Sequence, residues 1–338
     1  MRRFLYKFII LFVLLHGYLA WYAIKVYPNL CGEMDMLGQL PFGAEYVSRM
    51  DSVYSHSALY VQNIYTDEIS NTESSPIFTI GDSFSAQDIL GYQQFLGEII
   101  DEKIYNILHL FDISAEDLFC QLLNSGRIPQ GSTVIVESVE RSMIERLCKV
   151  SLHDTLPNIP VQRFPKESGD GKMDFLNGAA AKLRIMLGVK NPIRQYSTSE
   201  DLFTHPDVHN KLYVFNSTWD SYDYGKDGDL LFQQIDDESF IKAYDNLARM
   251  KTLADSKNVK FVYLVVADKY EVYEPFIVKD HPSNPTLDRC PSVSWVVNTK
   301  PLLQGQAMRG VKDIFRINDT HWSPIGAKLV AEELAKRL

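Results

Sequence analysis

Apolar and polar positions along the chain follow two alternating patterns. Short apolar runs typical of buried strands occur at residues 77–80, 103–108, 132–137 and 259–266. Segments with apolar residues at helical spacing predict helices over residues 88–100, 114–124, 141–149, 237–256 and 325–338. Ser114 is predicted to be the N-cap of the second of these helices. Strands that alternate with helices need crossover connections, so the pattern predicts an α/β fold with a doubly wound, mostly parallel sheet flanked by helices.

A serine follows the first of these strands directly. Residues 77–80 run into a glycine, an aspartate and then Ser83, which places Ser83 at the carboxyl edge of the predicted sheet, where α/β proteins bind ligands. Asp319 and His321 lie two residues apart just before the last predicted helix. An aspartate that orients a histidine, and a histidine that takes a proton from a serine, are the parts of an acyl-transfer triad.

The first 25 residues predict a transmembrane anchor. Residues 1–3 are basic and residues 8–24 are almost wholly apolar, which is slightly short of the ~20 residues that span a bilayer. Basic residues ahead of the apolar run predict a single-pass protein of the inner membrane, with its body on the periplasmic or extracytoplasmic side. A cleaved signal peptide is the alternative, but Ala20 and Ala23 do not form a small-x-small cleavage site.

The rest of the chain predicts one main domain. Residues 26–75 mix turn-forming residues with tyrosines and are interpreted as a connector. Residues 76–338 form the α/β domain, and residues 151–211, rich in proline and glycine, are interpreted as an insertion or cap.

Composition excludes several classes of partner. The chain has 338 residues and a formal net charge of −9, without a run of lysines and arginines, which argues against nucleic-acid binding. Four cysteines, Cys31, Cys120, Cys148 and Cys290, show no metal-like spacing, so no metal and no cofactor are predicted. One disulfide between Cys120 and Cys148 and four free thiols remain open alternatives.

Four stretches of this chain resemble the SGNH (GDSL-type) hydrolase superfamily. Gly81-Asp82-Ser83-Phe84-Ser85 is similar to its first block, and residues 319–326 resemble the Asp-x-His-Trp block of its alginate O-acetyltransferase-like branch. Residues 134–141 resemble a strand of that branch that ends in a Glu/Arg pair, and residues 265–273 resemble its Pro-Asp-Lys…Tyr stretch. Two departures are Ala267, where proline is usual, and the serine block preceding the Asp/His block, an order that is reversed in some members.

The resemblance implies a membrane-anchored extracytoplasmic O-acetyltransferase or acetyl esterase that acts on a cell-surface polysaccharide. Ser83 would carry the acyl group, His321 would act as general base and then acid, and Asp319 would orient the imidazole. The implied partner is a multi-spanning membrane acyltransferase. The alternative is a catalytically inactive, SGNH-like glycan-binding or assembly subunit of a polysaccharide modification complex.

Other side chains are predicted around the triad. The Ser83 amide is one oxyanion donor, and no partner for it is identified. The substrate-binding candidates are Arg141, Lys269, Tyr273 and Trp322. Three of them have ordinary structural alternatives: Arg141 paired with Glu137 or Glu140, Lys269 on the surface, and Trp322 as a core aromatic that fixes His321, which is the role we favour. Asp82 is predicted to bond the amides of its own turn.

Overall fold

The structure is a computed structural model, and it describes residues 2–21, 53, 59–72, 75–87, 91–109, 113–156, 235–276, 286–311, 313–315 and 321–338. Its centre is a six-stranded sheet with the order β1-β3-β2-β4-β5-β6, in which all neighbours are parallel. The strands are β1 (Val61–Ile64), β2 (Ile77–Ile80), β3 (Ile104–Ile107), β4 (Thr133–Val139), β5 (Lys260–Val266) and β6 (Val296–Asn298). The predicted α/β fold with a parallel sheet is confirmed.

Eight helices accompany the sheet within the described residues. They are α1 (Arg2–Trp21), α2 (Tyr92–Ile100), α3 (Ala115–Asn124), α4 (Glu140–Lys149), α5 (Asp237–Ser256), α6 (Lys269–Tyr273), α7 (Thr299–Met308) and α8 (Pro324–Ala335). Helix α2 packs on α8, which contacts α7, while α5 packs on α3 and α4. These two groups lie on opposite faces of the sheet. The connection from β2 to β3 and the connection from β3 to β4 run in opposite directions along the sheet, and right-handed crossovers therefore place their helices on opposite faces.

Strand β2 is the point at which the winding of the sheet reverses. The chain passes from β2 to its neighbour β3, and then crosses back over β2 to reach β4 on the other side. In open α/β sheets, the crevice outside the carboxyl ends of the strands at such a point is the usual ligand site. The turn after β2, which carries Ser83, therefore lies at the most favourable place in the fold for chemistry.

The central strands are buried on both faces, which explains their continuous apolar runs. Phe78 and Ile80 of β2, Val134 of β4 and Leu264 of β5 have no exposed surface. Val, Ile and Phe side chains suit such strands because they pack well on a pleated, covered surface. The core therefore lies at β2, β4 and β5, directly beneath the Ser83 turn.

The predicted connector was wrong in part, because its residues 61–64 form the edge strand β1. This strand pairs with β3 in register from Val61 opposite Ile104 to Ile64 opposite Ile107. Its middle residues, Gln62 and Asn63, are exposed, so the run lacks the continuous apolar character of the buried strands. Of the predicted insertion, residues 157–211 lie outside the described residues.

The N-terminal anchor is not found as a membrane span. Among the described residues, no helix has both the length and the apolar character needed to cross a bilayer.

The described cysteines are free thiols. Cys120 is buried in α3, while Cys148 and Cys290 are half-buried, and none of the three forms a disulfide. The alternative of a Cys120–Cys148 bridge is therefore wrong for this structure, and Cys31 lies outside the described residues.

The predicted N-cap of α3 provides a test of local stability. Ser114 Oγ accepts a hydrogen bond from the Asp117 amide at 3.1 Å, which satisfies one of the free N–H groups at the helix start. Ser114→Ala should lower the free energy of unfolding by about 1 kcal/mol, measured by urea denaturation. Ser256→Ala, at the exposed end of α5, is the control and should change it by less than about 0.5 kcal/mol. Equal effects of the two variants would contradict the capping role.

Candidate active site

The structure brings Ser83 and His321 together, although 238 residues separate them in sequence. Ser83 Oγ and His321 Nε2 lie 2.7 Å apart, a hydrogen-bonding distance. Both residues are half-buried, so the hydroxyl and the imidazole are held by the protein and still border solvent. This contact is the geometry that a serine nucleophile and its general base require.

The start of α8 fixes the position of His321. Ser323 is the N-cap of this helix, and its Oγ accepts a hydrogen bond from the Ile325 amide at 3.0 Å. Trp322 forms an isolated antiparallel bridge with Phe315, which ties the segment before the helix to a second strand-like piece of chain. His321 is therefore held two residues ahead of a capped helix and faces the end of β2.

Aromatic side chains pack against the histidine and its neighbour Trp322. The Phe84 ring lies 4.6 Å from the His321 ring and 4.8 Å from the Trp322 ring, measured between centroids. Tyr92 of α2 contacts Trp322 edge-on at 6.2 Å. Trp322 is only 1% exposed, so it has no open face for a sugar. The sugar-platform role is wrong for this structure, and the core role predicted as its alternative is the one observed.

The predicted third member of the triad, Asp319, lies outside the described residues, which omit 316–320. Its role stays a prediction from the sequence.

A buried glutamate holds the turn that carries Ser83. Glu137 of β4 is fully buried, and its Oε2 accepts hydrogen bonds from the Asp82 amide at 2.8 Å and from the Ser85 hydroxyl at 2.9 Å. Burial, and next the charge of Asp82, raise the pKa of Glu137 well above its usual value. Burial therefore favours the neutral form of the Glu137 carboxyl group.

The prediction that the Asp82 side chain bonds the amides of its own turn is wrong. Its Oδ2 instead accepts hydrogen bonds from the Val139 amide at 3.1 Å and from Arg146 Nη1 at 2.6 Å. These donors belong to the end of β4 and to α4. The reason is the parallel pairing of β2 with β4, which brings the ends of both strands to one place.

Arg141 pairs with neither of its predicted partners. Its Nη1 lies 2.5 Å from Asp268 Oδ1, and Glu140 Oε2 instead accepts a hydrogen bond from the Asp268 amide at 3.3 Å. Because β4 and β5 are adjacent and parallel, the residues that follow them meet at the carboxyl edge. The Arg141 side chain is 29% exposed, so part of it stays open to solvent there.

Lys269 and Tyr273 are buried, which corrects their predicted roles in lining a sugar site. Their exposed fractions are 3% and 2%. Both belong to the short helix α6, and the Tyr273 ring packs against Phe315 at 5.8 Å. The residues after β5 fold into the body of the domain as a helix rather than forming an open loop.

Two functional neighbours of Ser83 were missed by the sequence reasoning. His109, just after β3, donates from Nε2 to the Gly81 carbonyl at 3.0 Å, because a carbonyl oxygen only accepts. Its place at the end of a strand next to β2 was an available signal. Arg146 gave none, because a basic residue within an amphipathic helix normally faces solvent.

Ser83 lies away from the cleft found elsewhere among the described residues. A cleft of about 640 Å³, lined in part by Lys260, Trp295 and Arg337, lies where β5 and β6 begin, at the opposite edge of the sheet. Among the described residues, no group of three or more His, Cys, Asp or Glu side chains is placed to hold a metal ion. The candidate active site is therefore the Ser83–His321 contact.

Comparison of the chain with protein-family models, curated proteins and solved structures finds no match. The likeness to the SGNH superfamily thus rests on the four stretches of sequence quoted above.

The close packing at Gly81 leads to a second prediction. A Cβ at this position would lie 2.7 Å from Glu137 Cβ and would collide with Glu137 Oε2 and Ser85 Oγ. Gly81→Ala should therefore lower the free energy of unfolding by about 1–3 kcal/mol, measured by urea denaturation. Gly305→Ala is the matched control: it lies inside α7 with no atom within 4 Å of the new methyl group, and should stabilise by up to about 1 kcal/mol. Equal stabilities for the two variants would contradict the tight contact.

The buried Glu137 gives a pH-dependent prediction. Its pKa is raised in the folded state, so its contribution to stability is complete below the unfolded pKa of about 4.3 and is lost as pH rises toward the folded value. Above that pH, the free energy of unfolding of Glu137→Gln should rise relative to that of wild type, by up to about 1.4 kcal/mol for each pH unit. Denaturation curves recorded between pH 4 and pH 8 measure this gain.

Glu145→Gln is the control for this pH series. Glu145 is exposed on α4, and its hydrogen bond with Lys149 lowers its pKa, so any dependence on pH should have the opposite sign. Parallel pH curves for wild type and Glu137→Gln would show that the pKa of Glu137 is not raised in the folded protein.

Proposed function

We propose that this chain is a serine acyltransferase or esterase that works through an acyl-enzyme at Ser83. The observation that carries the proposal is the 2.7 Å contact between Ser83 Oγ and His321 Nε2 at the reversal point of a parallel sheet. A hydroxyl in contact with an imidazole is the arrangement that activates a serine. A structural serine needs no histidine partner at this edge, whereas a nucleophile does.

The proposed reaction has two halves. As Ser83 Oγ attacks an acyl carbonyl, His321 Nε2 accepts the hydroxyl proton and then gives it to the leaving group, which departs to leave an acyl-serine. In the second half, water or a sugar hydroxyl loses its proton to His321 and attacks the ester, and Ser83 recovers the proton. Water makes the protein an esterase, and a sugar hydroxyl makes it a transferase.

The turn supplies one donor for the developing oxyanion. Within the described part of the chain, the Ser83 amide donates to no acceptor, while the Asp82 amide is taken by Glu137 and the Ser85 amide by the Asp82 carbonyl. An unused N–H next to the nucleophile can stabilise the negative oxygen of the tetrahedral intermediate. Arg141, partly open to solvent on the same edge, is our candidate for contact with the acyl acceptor.

The wider setting of the reaction is proposed from the resemblance alone. We infer that the acyl group is acetyl, that the acceptor is a cell-surface polysaccharide, and that a multi-spanning membrane acyltransferase delivers the acetyl group. Location on the periplasmic side of the membrane follows from the basic and apolar residues at the N-terminus, and it is likewise a proposal.

Labelling of the serine tests the chemistry directly. A fluorophosphonate or sulfonyl fluoride should modify the full-length chain at Ser83, identified by mass spectrometry, because these reagents need an activated serine. Ser83→Ala should abolish the modification, and Ser256→Ala should leave it unchanged. An unmodified Ser83 in the folded protein would contradict the proposal and favour the inactive glycan-binding or assembly subunit.

Hydrolysis of an aryl acetate then measures the contributions of the partners. His321→Ala should reduce kcat by about 10⁶-fold, since the general base is lost. Asp319→Asn tests the third predicted member, and a loss of about 10⁴-fold is expected if it orients the imidazole. If Asp319→Asn reacts at the wild-type rate, Asp319 is not a member of the triad, and the proposed roles of Ser83 and His321 stand.

A further inference from the structure

The residues on both sides of Ser83 share one acceptor atom. The Asp82 amide and the Ser85 hydroxyl both donate to Oε2 of Glu137, at 2.8 and 2.9 Å. Asp82 precedes the nucleophile and Ser85 follows it by two residues. A single buried carboxyl oxygen on β4 therefore closes the loop that carries Ser83.

A second tether runs from Asp82 to α4. Arg146 Nη1 lies 2.6 Å from Asp82 Oδ2, and the same carboxylate oxygen accepts the Val139 amide at the end of β4. The Arg146 side chain is 26% exposed and that of Asp82 is 11% exposed, so solvent screens this ion pair only in part. The turn after β2 is thus bound to the neighbouring strand and to the helix that follows it.

The positive charge of Arg146 lies among several carboxyl groups at this turn. Three carboxyl groups face Arg146: Asp82 from the turn, Glu137 from β4 and Glu116 from α3. Burial raises the pKa of both Glu137 and Glu116, and the Tyr263 hydroxyl donates to Glu116 Oε1 at 2.7 Å. The guanidinium is hydrogen-bonded to Asp82, while burial favours the neutral form of the two glutamates.

Rigid placement of Ser83 matters because its base comes from a different part of the chain. His321 is fixed by the cap of α8, so the 2.7 Å contact survives only if the Ser83 turn is equally fixed. A displacement of about 1 Å of a reacting group commonly costs on the order of 10²-fold in rate. The contacts of Glu137 and Arg146 are among those that hold the turn on the serine side, together with the bond from His109 to the Gly81 carbonyl.

We propose that Glu137 and Arg146 are positioning residues for Ser83: they hold the nucleophile turn against β4 and α4 without touching substrate. This inference rests on the proposed acyl-transfer function. Glu137 acts as a hydrogen-bond acceptor for the two residues that flank the nucleophile, and Arg146 acts by fixing the Asp82 carboxylate.

Paired substitutions separate positioning from folding. Glu137→Gln keeps an acceptor oxygen for the two hydrogen bonds, so kcat for an aryl acetate should stay within about 3-fold of wild type. Glu137→Leu keeps the volume but removes the acceptor, and kcat should fall by on the order of 10²-fold with KM little changed. Arg146→Lys should retain more kcat than Arg146→Met. The rate at which a sulfonyl fluoride labels Ser83 should follow the same order.

The control is Lys149→Met, which removes an exposed cation of the same helix α4 whose partner is Glu145. It should leave kcat and the labelling rate unchanged. Circular dichroism gives the folded fraction of each variant, and rates are compared per folded molecule. If Glu137→Leu does not fold, the Arg146 pair decides the question, because its partly exposed site tolerates methionine better.

The outcomes distinguish this inference from the function on which it rests. If wild type is labelled at Ser83 and the folded Glu137→Leu and Arg146→Met variants react at wild-type rates, the positioning role is overturned and the proposed function stands. If wild type is not labelled at Ser83, the proposed function fails, and the positioning role fails with it. Loss in the Leu and Met variants with rescue by Gln and Lys supports it.

Discussion

The approach of Gly81 to the buried carboxyl of Glu137 is the contact on which the candidate site depends. Strand β2 can end this close to β4 only because Gly81 has no side chain. The gap that remains lets one carboxyl oxygen take two hydrogen bonds from the turn, and these bonds offset part of the cost of burying that oxygen. The direction in which Ser83 points, and hence its meeting with His321, follows from this contact.

The raised pKa of Glu137 is consistent with this arrangement. An ionised carboxylate in the same place would face the Asp82 charge in an interior of low dielectric, and Arg146 can balance only one of the two. Burial therefore favours the protonated form of Glu137, the carboxyl group that is fully buried. The site thus illustrates how a carboxyl group can serve as a plain hydrogen-bond acceptor.

The sequence allowed prediction of most buried elements and of the two residues that meet. Strands β2, β4 and β5 carry long apolar runs, and Ser114 and its helix were read from cap chemistry, so local signals sufficed. The edge strand β1 and the three-residue β6 were not predicted, because short or half-exposed strands lack such runs. Ser83 and His321 were identified by their placement around the α/β pattern.

The partners of those two residues could not be predicted, because they depend on which side chains meet across the sheet. Arg141 was expected to pair with a neighbour in sequence and instead pairs with Asp268, 127 positions away. Lys269 and Tyr273 were expected to line a loop, and the start of α6 turned them inward. Arg146 and Glu137 became part of the site only through the pairing of β2 with β4.

The cap of α8 has a consequence for the order in which the site forms during synthesis on the ribosome. The serine is synthesised long before the histidine, and the imidazole reaches it only when the final helix docks through Ser323 and Trp322. A nascent chain that lacks this helix therefore has a Ser83 hydroxyl without its imidazole partner. If Ser83 is the nucleophile that we propose, it would become reactive only after this last helix has docked.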